Sequence, residues 1–425
     1  ITPSTGKPST PPSSSPSAAP VPTPTGVAGT FPATIVDNDP SIPPSGIHLY
    51  IYGENPTTSA FVGVNANGSI YALAHGSTVA AIPWSGTGKT NTVFLPPLIG
   101  GRVYIVGGSS LSSIFMVSGA TGTGPAAPAP WNMDGSQSVY FDDIEYAETS
   151  ASNVNFDLSQ TDAIGLDLQV AATGSQGTQT IGLKSGAITA FAAALKNGAG
   201  APWSALANEM PYHIINPQHG SPNFFPNATS LDSAIATAWN AYRGGNWMEI
   251  TPASLSATGY SGPLYGTVDG SGNLNFYAAQ STAGTLVGTL QNPSAYAAAH
   301  AETVTSQTLA QNGAFNNFTT PSAVYPTLGP AIGNRVSGAL NSGVFVPSPL
   351  PPTQPVSTQP ICTGRFASGG SAYQNQYAAT LHGIANTYAY VAGAAYGYPY
   401  DDLCGTSTDT TSNGITSMTI TINPS

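Results

Sequence analysis

The first half of the chain alternates apolar and polar residues in short runs, and residues that favour turns separate the runs. The clearest runs are residues 47–52, 60–64, 69–73, 92–95, 102–106 and 113–117. Asn67 and Gly68 stand between two of them, which is a typical hairpin signal. Evenly spaced short strands with many glycines are typical of a β-sandwich or barrel, which we predict for residues 29–185.

Helical spacing replaces the alternation after residue 185. The pattern predicts helices at residues 187–196, 231–242, 294–311, 331–341 and 372–390, and strands at 247–251, 264–268, 274–278 and 415–422. We therefore expect a mixed α/β domain over residues 186–394 and a return of residues 395–425 to the β domain. The predicted fold class is mainly β with an α/β part.

Residues 1–28 are rich in Pro, Ser, Thr and Ala, which is typical of an extended linker. The chain starts at Ile1 and not at Met, so we expect that a signal peptide has been removed. The low lysine content and the abundance of Ser, Thr, Gly and Asn favour a secreted protein. No apolar run reaches the roughly 18 residues that suggest a membrane span, so none is predicted.

Charge is scarce and mostly negative, with eight Lys and Arg against 19 Asp and Glu and a net charge of −11. Phosphate contacts need cations, so this balance argues against nucleic acid and anionic membranes as partners. The six histidines and two cysteines show no metal-binding spacing. We therefore predict no metal and no cofactor, structural roles for His213, His219 and His382, and a monomer.

Carboxylates concentrate in Phe141 to Leu168, which holds seven of the 19. Both ends of this stretch alternate as strands do, and the small polar residues Thr149 to Gln160 between them indicate a loop or wide turn. Two strands joined in this way lie close together, so Glu145 and Asp162 can face one cleft. Paired carboxylates are the usual equipment for glycoside hydrolysis, although acidic residues at strand ends are more often merely solvated.

The same stretch carries a family resemblance. The segments IEY (Ile144 to Tyr146) and QTDAIGL (Gln160 to Leu166) resemble the catalytic region of glycoside hydrolase family 64, the laminaripentaose-producing endo-β-1,3-glucanases with a thaumatin-like β domain. Ile82 to Ile105 resembles the proline- and glycine-containing strand pair of that family. Tyr377 to Gly405 resembles its helix followed by a Y-P-Y-D-D strand, so the resemblance runs in order from about Gly46 to Ile422.

The resemblance implies a thaumatin-like β domain and a mixed α/β domain that form a crescent with a wide cleft. It implies an inverting endo-β-1,3-glucanase that needs no cofactor, with Glu145 as general acid and Asp162 as general base. It also favours a cleft position for Tyr400 and Asp401. Short polar residues near the two carboxylates suit recognition of sugar hydroxyls, although ordinary loop composition would look the same; they are Thr149, Asn155, Gln160 and Thr161.

Two alternatives stay open on the sequence alone. A non-catalytic β-glucan-binding or structural cell-surface protein could use the same scaffold, although retention of both carboxylates favours the enzyme. The two cysteines, Cys362 and Cys404, are expected to form a disulfide in a secreted chain, and two buried thiols are the alternative.

Overall fold

A computed structural model describes most of the chain in segments. They are residues 24–85, 88–108, 117, 139–150, 153–158, 160–219, 231–250, 255, 258–300, 303–310, 313–320, 328–343, 345, 374–392, 395–397 and 410–425. Within these segments the chain forms twenty strands and six α-helices. None of these helices is long and apolar enough to cross a membrane.

The strands are β1 (Phe31–Asp37), β2 (Ile47–Glu54), β3 (Phe61–Val64), β4 (Ile70–Ala72), β5 (Ile82–Pro83), β6 (Thr90–Leu95), β7 (Ile99–Gly107), β8 (Tyr140–Ser150), β9 (Asn153–Leu158), β10 (Ala163–Ile164), β11 (Asp167–Gly174), β12 (Gly177–Gly182), β13 (Ile214–Ile215), β14 (Met248–Ile250), β15 (Leu264–Val268), β16 (Leu274–Tyr277), β17 (Leu286–Leu290), β18 (Phe318–Thr319), β19 (Thr410–Asn413) and β20 (Ser417–Asn423). The helices are α1 (Ala187–Gly198), α2 (Asp232–Asn240), α3 (Pro293–His300), α4 (Val304–Ala310), α5 (Leu328–Asn341) and α6 (Gln376–Tyr388).

The β part contains two sheets that share one core. The first sheet has the order β12-β11-β20-β1-β6, and the second has the order β19-β9-β8-β7-β2-β3-β4 with β5 paired to β2. Alternate residues of both sheets meet between them, such as Ile35 and Val93 from the first and Leu49, Val103 and Ile144 from the second. Burial of these apolar side chains away from water holds the two sheets together as a sandwich.

The other face of the second sheet is buried too. Tyr52, Tyr104, Val106 and Phe141 form a separate cluster there. Much of β7 and β8 is therefore covered on both faces, so polar side chains that are buried on this second face must find partners among themselves. The candidate active site lies on this face.

The α/β part has its own core. Its five-stranded antiparallel sheet has the order β14-β15-β16-β17-β18. Helix residues such as Trp239 and Ile332 pack against Leu264 and Phe276 of this sheet. The small pair β10 and β13 joins this part to the sandwich, and Ile164 of β10 belongs to the α/β core. The turn before β10 is therefore seated between the two cores.

Most predicted strands and helices are confirmed within a few residues, as is the mainly β class with helices. The described sheets stay open, so the β part is a sandwich and not a closed barrel. The crescent with a wide cleft stays a prediction.

Two element predictions are wrong. Thr149 to Gln160 is not a loop, because β8 continues to Ser150 and β9 begins at Asn153; Val154, Phe156 and Leu158 point into the sandwich core while the polar residues between them point away. The helix predicted for residues 294–311 is two helices. Thr303 caps the second, since its Oγ1 accepts the N–H of Ser306 while the Ser306 Oγ accepts the N–H of Thr303.

Candidate active site

A row of polar side chains crosses the second face of the larger sheet. The strand register places Arg102 of β7 opposite Glu145 of β8, and Tyr104 opposite Asp143. Asp157 of β9 lies opposite Glu145 on its other side. Directly opposed residues on antiparallel strands point to the same face of a sheet, so these five side chains all face away from the sandwich core.

Arg102 joins three carboxylates. Its Nη1 donates to Asp143 Oδ2 at 2.7 Å and to Asp162 Oδ2 at 3.0 Å, and its Nη2 donates to Glu145 Oε2 at 2.9 Å. The side chains of Asp143 and Asp162 are only 2% and 8% exposed, whereas that of Glu145 is 34% exposed. Glu145 is therefore open to solvent, while the two buried aspartates lie against Arg102, whose charge offsets the cost of ionising them.

Asp162 lies in the turn that follows β9, and both of its carboxylate oxygens are bonded. Oδ1 lies 2.9 Å from His219 Nε2, and Oδ2 accepts from the Tyr104 hydroxyl at 3.2 Å as well as from Arg102. The main chain is also held, because the Asn216 N–H donates to the Asp162 carbonyl at 3.0 Å. Asp162 is therefore fixed by β7 on one side and by the segment after β13 on the other.

Burial and Arg102 act in opposite directions on the two aspartates. Burial by itself would raise the pKa of Asp162, but Arg102 and the hydrogen bonds from His219 and Tyr104 outweigh burial and lower that pKa. Burial raises the pKa of Asp143 well above its usual value, Arg102 offsets only part of this rise, and the charge of Asp162 adds to it. The three carboxylates outweigh burial at Arg102 and raise its pKa, so it stays charged. Of the two aspartates, Asp162 is therefore the one that ionises first, and Asp143 is the one that holds a proton more readily.

Asp142 ties the Asp162 turn to β8. Its Oδ2 accepts the backbone N–H groups of Gly165 and Leu166, each at 3.1 Å, and its Oδ1 accepts the N–H of Asp143 at 2.9 Å. A side chain at Gly165 would collide with the main-chain oxygen of Phe141. Because residue 165 is glycine, the turn passes directly against β8 and brings Asp162 beside Arg102.

We expect the melting temperature to fall as the pH rises from about 5 to about 8. Burial raises the pKa of Asp142 to about 7, and its three backbone donors offset only part of the rise. Asp167, which accepts three N–H groups at the start of α1, has its pKa raised to about 7 in the same way. Since both folded pKa values exceed the ordinary Asp value of 3.8, protonation stabilises the fold, and this stability is lost as the pH rises through about 7. Each group contributes on the order of a few kcal/mol.

Thermal unfolding across this pH range measures the effect. Asp142→Asn cannot ionise, so its melting temperature should fall less steeply with pH than that of the wild type. The lowered pKa of Asp162 acts only below the usual range for Asp. Burial lowers the pKa of His213 to about 4, which opposes the fall below about pH 6.5, but this single group acts equally in wild type and variant and is outweighed by the two aspartates. A flat wild-type profile, or an equal slope in the variant, would contradict the assignment.

The structure brings Glu145 and Asp162 together and shows where three of the predicted sugar contacts lie. Asn155 is on β9 and shares the face of Glu145. Gln160 is buried, with its Oε1 accepting the N–H of Tyr396 at 3.0 Å, and Thr161 is buried beside it. Direct contact of either buried side chain with a sugar would require the turn to open.

Five other predictions fall outside what the structure describes. The side chain of Thr149, at the end of β8, is not among the described ones, and Tyr400, Asp401, Cys362 and Cys404 lie outside the described residues. The sugar contacts and the disulfide therefore stay predictions.

The sequence did not indicate Arg102, Tyr104 or His219 as site residues. His219 was expected to have a structural role, whereas its ring lies against Asp162. Arg102 carried one available signal, because it is one of only eight basic residues and stands in an otherwise apolar run, residues 102–106. A cation in a strand that is buried on both faces indicates a nearby acidic partner.

The family model of glycoside hydrolase family 64, described as β-1,3-glucanase, matches residues 29–422. This match confirms the resemblance found in the sequence. No curated protein matches the chain.

Several solved structures share the fold. A laminaripentaose-producing β-1,3-glucanase in complex with laminaritetraose is 20% identical, with 94% of this chain and 99% of that chain covered and a TM-score of 0.70. A β-1,3-glucanase domain of family 64 from Clostridium beijerinckii is 20% identical, with 94% of this chain and 100% of that chain covered and a TM-score of 0.68. A family 64 laminaripentaose-producing β-1,3-glucanase from Paenibacillus barengoltzii is 15% identical, with 96% of this chain and 79% of that chain covered and a TM-score of 0.54.

Proposed function

We propose that this chain, which belongs to the β-1,3-glucanases of glycoside hydrolase family 64, cleaves internal bonds of β-1,3-glucan with inversion at the anomeric carbon. Membership of the family makes the chain a glycoside hydrolase. In our proposal Glu145 is the general acid and Asp162 is the general base. An uncharged polysaccharide needs no basic surface, which agrees with the eight basic residues of the chain.

The observation that carries the proposal is the position of Arg102 between the two carboxylates. One terminal nitrogen of its guanidinium holds Glu145 and the other holds Asp162. Two hydrogen bonds and the width of a guanidinium limit the separation of the bonded oxygens to roughly 8 Å. Both the separation of about 6.5–9.5 Å used by inverting enzymes and that of about 5–5.5 Å used by retaining enzymes fall largely within this limit, so the position of Arg102 supports the pairing of the two carboxylates, and inversion rests on the family resemblance.

Ionisation of Asp162 and exposure of Glu145 agree with these roles. Asp162 is ionised, since Arg102 and the hydrogen bonds from His219 and Tyr104 outweigh burial and lower its pKa, so it can accept a proton from water. Glu145 has the most exposed side chain of the three carboxylates on Arg102, so a glycosidic oxygen can reach it.

In the reaction a proton passes from Glu145 to the glycosidic oxygen as the bond from that oxygen to the anomeric carbon breaks. Water forms the new bond to this carbon from the opposite face of the sugar, while Asp162 takes the proton that the water loses.

We extend the proposal to the substrate and its location. The related structure that contains laminaritetraose covers 94% of this chain, which supports a β-1,3-glucan as ligand. We place the glucan in a wide cleft between the β and α/β parts, with Tyr400 and Asp401 among its contacts. Secretion is supported by the scarcity of lysine and the composition of residues 1–28.

Release of reducing ends from laminarin tests the activity. The expected result is steady release from laminarin and none from a β-1,4-glucan of similar solubility. A non-catalytic glucan-binding protein would bind laminarin without releasing reducing ends. Binding without hydrolysis would therefore reject the proposal in favour of that alternative.

The stereochemistry of the product is a separate prediction. Hydrolysis of a β-linked glucan by the proposed mechanism should give the α-anomer first, because water attacks the face opposite the leaving group. Proton NMR spectra recorded in the first minutes of a digest distinguish the two anomers before mutarotation mixes them. An initial β-product would require one of the carboxylates to act as a nucleophile and would overturn the inverting assignment.

A further inference from the structure

The segment after β13 wraps around the turn that carries Asp162. The Asn216 N–H donates to the Asp162 carbonyl, and the Asn216 side-chain amide donates to the carbonyls of Gln160 at 3.1 Å and Gly397 at 2.8 Å. The side-chain amide of Gln218 donates to the carbonyl of Thr161. These bonds fix the segment against the turn and bring the next residue, His219, to the carboxylate.

The ring of His219 completes a set of donors around Asp162. His219 Nε2 lies 2.9 Å from Oδ1 and 3.2 Å from the side-chain nitrogen of Gln218. An ionised carboxylate can only accept and the Gln218 nitrogen donates to the Thr161 carbonyl, so we assign the ring proton to Nε2, where it is donated to Oδ1. Arg102 and Tyr104 both donate to the other oxygen, Oδ2. We propose that His219 is a positioning residue that orients the carboxylate of Asp162 toward the attacking water. This inference rests on the proposed function, in which Asp162 is the base.

The count of lone pairs identifies the oxygen that takes the proton. An ionised carboxylate offers about two acceptor sites on each oxygen. Arg102 and Tyr104 fill both sites of Oδ2, whereas His219 fills one site of Oδ1. The second site of Oδ1 therefore receives the proton from water, and the His219 bond fixes the direction in which that site points.

Removal of the His219 donor should change the pH profile of the reaction. The charged and titratable groups that face Asp162 are Arg102 and Tyr104 from β7, with Tyr52 of β2 behind them, Asp143 and Glu145 from β8, and His219 itself. Only His219 changes in the variants, so the others act as a constant background. The acid limb of the kcat/KM profile reports the pKa of the base in the free enzyme. Loss of one charge-assisted hydrogen bond to a carboxylate should move this limb upward by about one to two pH units.

The experiment compares pH profiles of laminarin hydrolysis for four variants. His219→Ala and His219→Met remove the donor, the second while filling the space of the ring. His219→Gln retains an N–H that can reach Oδ1, and His300→Ala removes an exposed histidine at the end of α3 as a matched control. Both removal variants should shift the acid limb upward and lower kcat more than they change KM. His219→Gln should restore the limb to within about half a pH unit of the wild type, and His300→Ala should match the wild type.

The outcomes separate this inference from the proposed function. An acid limb that stays at the wild-type pH in folded His219→Ala or His219→Met overturns the positioning role. An acid limb in His219→Gln that is shifted as far as in His219→Met overturns it too. A purely structural role would lower the melting temperature and leave the limb in place. Asp162→Asn is measured in parallel, because full activity in that variant would reject Asp162 as the base and hence the proposed mechanism itself.

Discussion

Replacement of Glu145 by Gln, or of Asp162 by Asn, should lower laminarin hydrolysis by about 10²–10⁴-fold, the usual worth of one general acid or base. Both substitutions keep the shape of the side chain and remove its ability to exchange a proton. Glu145→Gln keeps an oxygen that can accept from Arg102, so the network around it should survive. The loss should appear in kcat, because the proton transfers occur in the transition state and contribute little to substrate binding.

Glu249→Gln is a matched control, since this glutamate is also half-buried but lies on β14 of the α/β part. It should leave kcat unchanged. Circular dichroism and melting temperatures of all three variants separate loss of catalysis from loss of folding. A folded Glu145→Gln or Asp162→Asn variant with a wild-type rate would remove that residue from the mechanism.

The sequence allowed the two carboxylates and most of the strands around them to be predicted, because those signals are local. Alternation of apolar residues marks β2 and β7 directly. The family resemblance around Glu145 and Asp162 is carried by short segments that can be read without knowing the fold. The hairpin of β8 and β9 was missed because its outward residues are small and polar. Its inward residues do alternate, but a run of Asn and Ser is also typical of a loop.

The remaining parts of the site depend on long-range contacts. Arg102 meets Asp143 and Asp162 across 41 and 60 positions of sequence, and His219 meets Asp162 across 57. No periodicity connects residues at such distances, since the pairing is set by the register of β7 with β8 and by the small sheet of β10 and β13. The sequence therefore indicated the two carboxylates that we propose as acid and base, and not the residues that hold them.

Replacement of Arg102 by Met should have the largest effect on the molecule as a whole. The methionine fills the space but leaves the buried, ionised carboxylate of Asp162 without its cation, which typically costs about 3–5 kcal/mol of stability at neutral pH. Activity should fall at least as far as in the Glu145 and Asp162 variants, because neither carboxylate keeps its position. Arg102→Lys retains the charge and should recover part of the stability. Its ammonium group cannot hold three carboxylates as the planar guanidinium of arginine does, so activity should stay low.

Unfolding at two pH values identifies the cause of the stability loss in Arg102→Met. In the wild type the lowered pKa of Asp162 stabilises the fold at every pH above the usual range for Asp, and this contribution is lost only as the pH falls through the lowered value. Without Arg102 the burial of Asp162 is unopposed, its folded pKa rises above the unfolded value, and the stability of the variant is lost as the pH rises. The difference between wild type and variant should therefore be small near pH 4 and large near pH 7.

Arg243→Met, which removes an arginine bonded to the neutral oxygens of Asn240 and Gly270, should show no such dependence on pH. An equal loss at both pH values in Arg102→Met would mean that Arg102 stabilises the fold by packing and does not compensate the charge of Asp162.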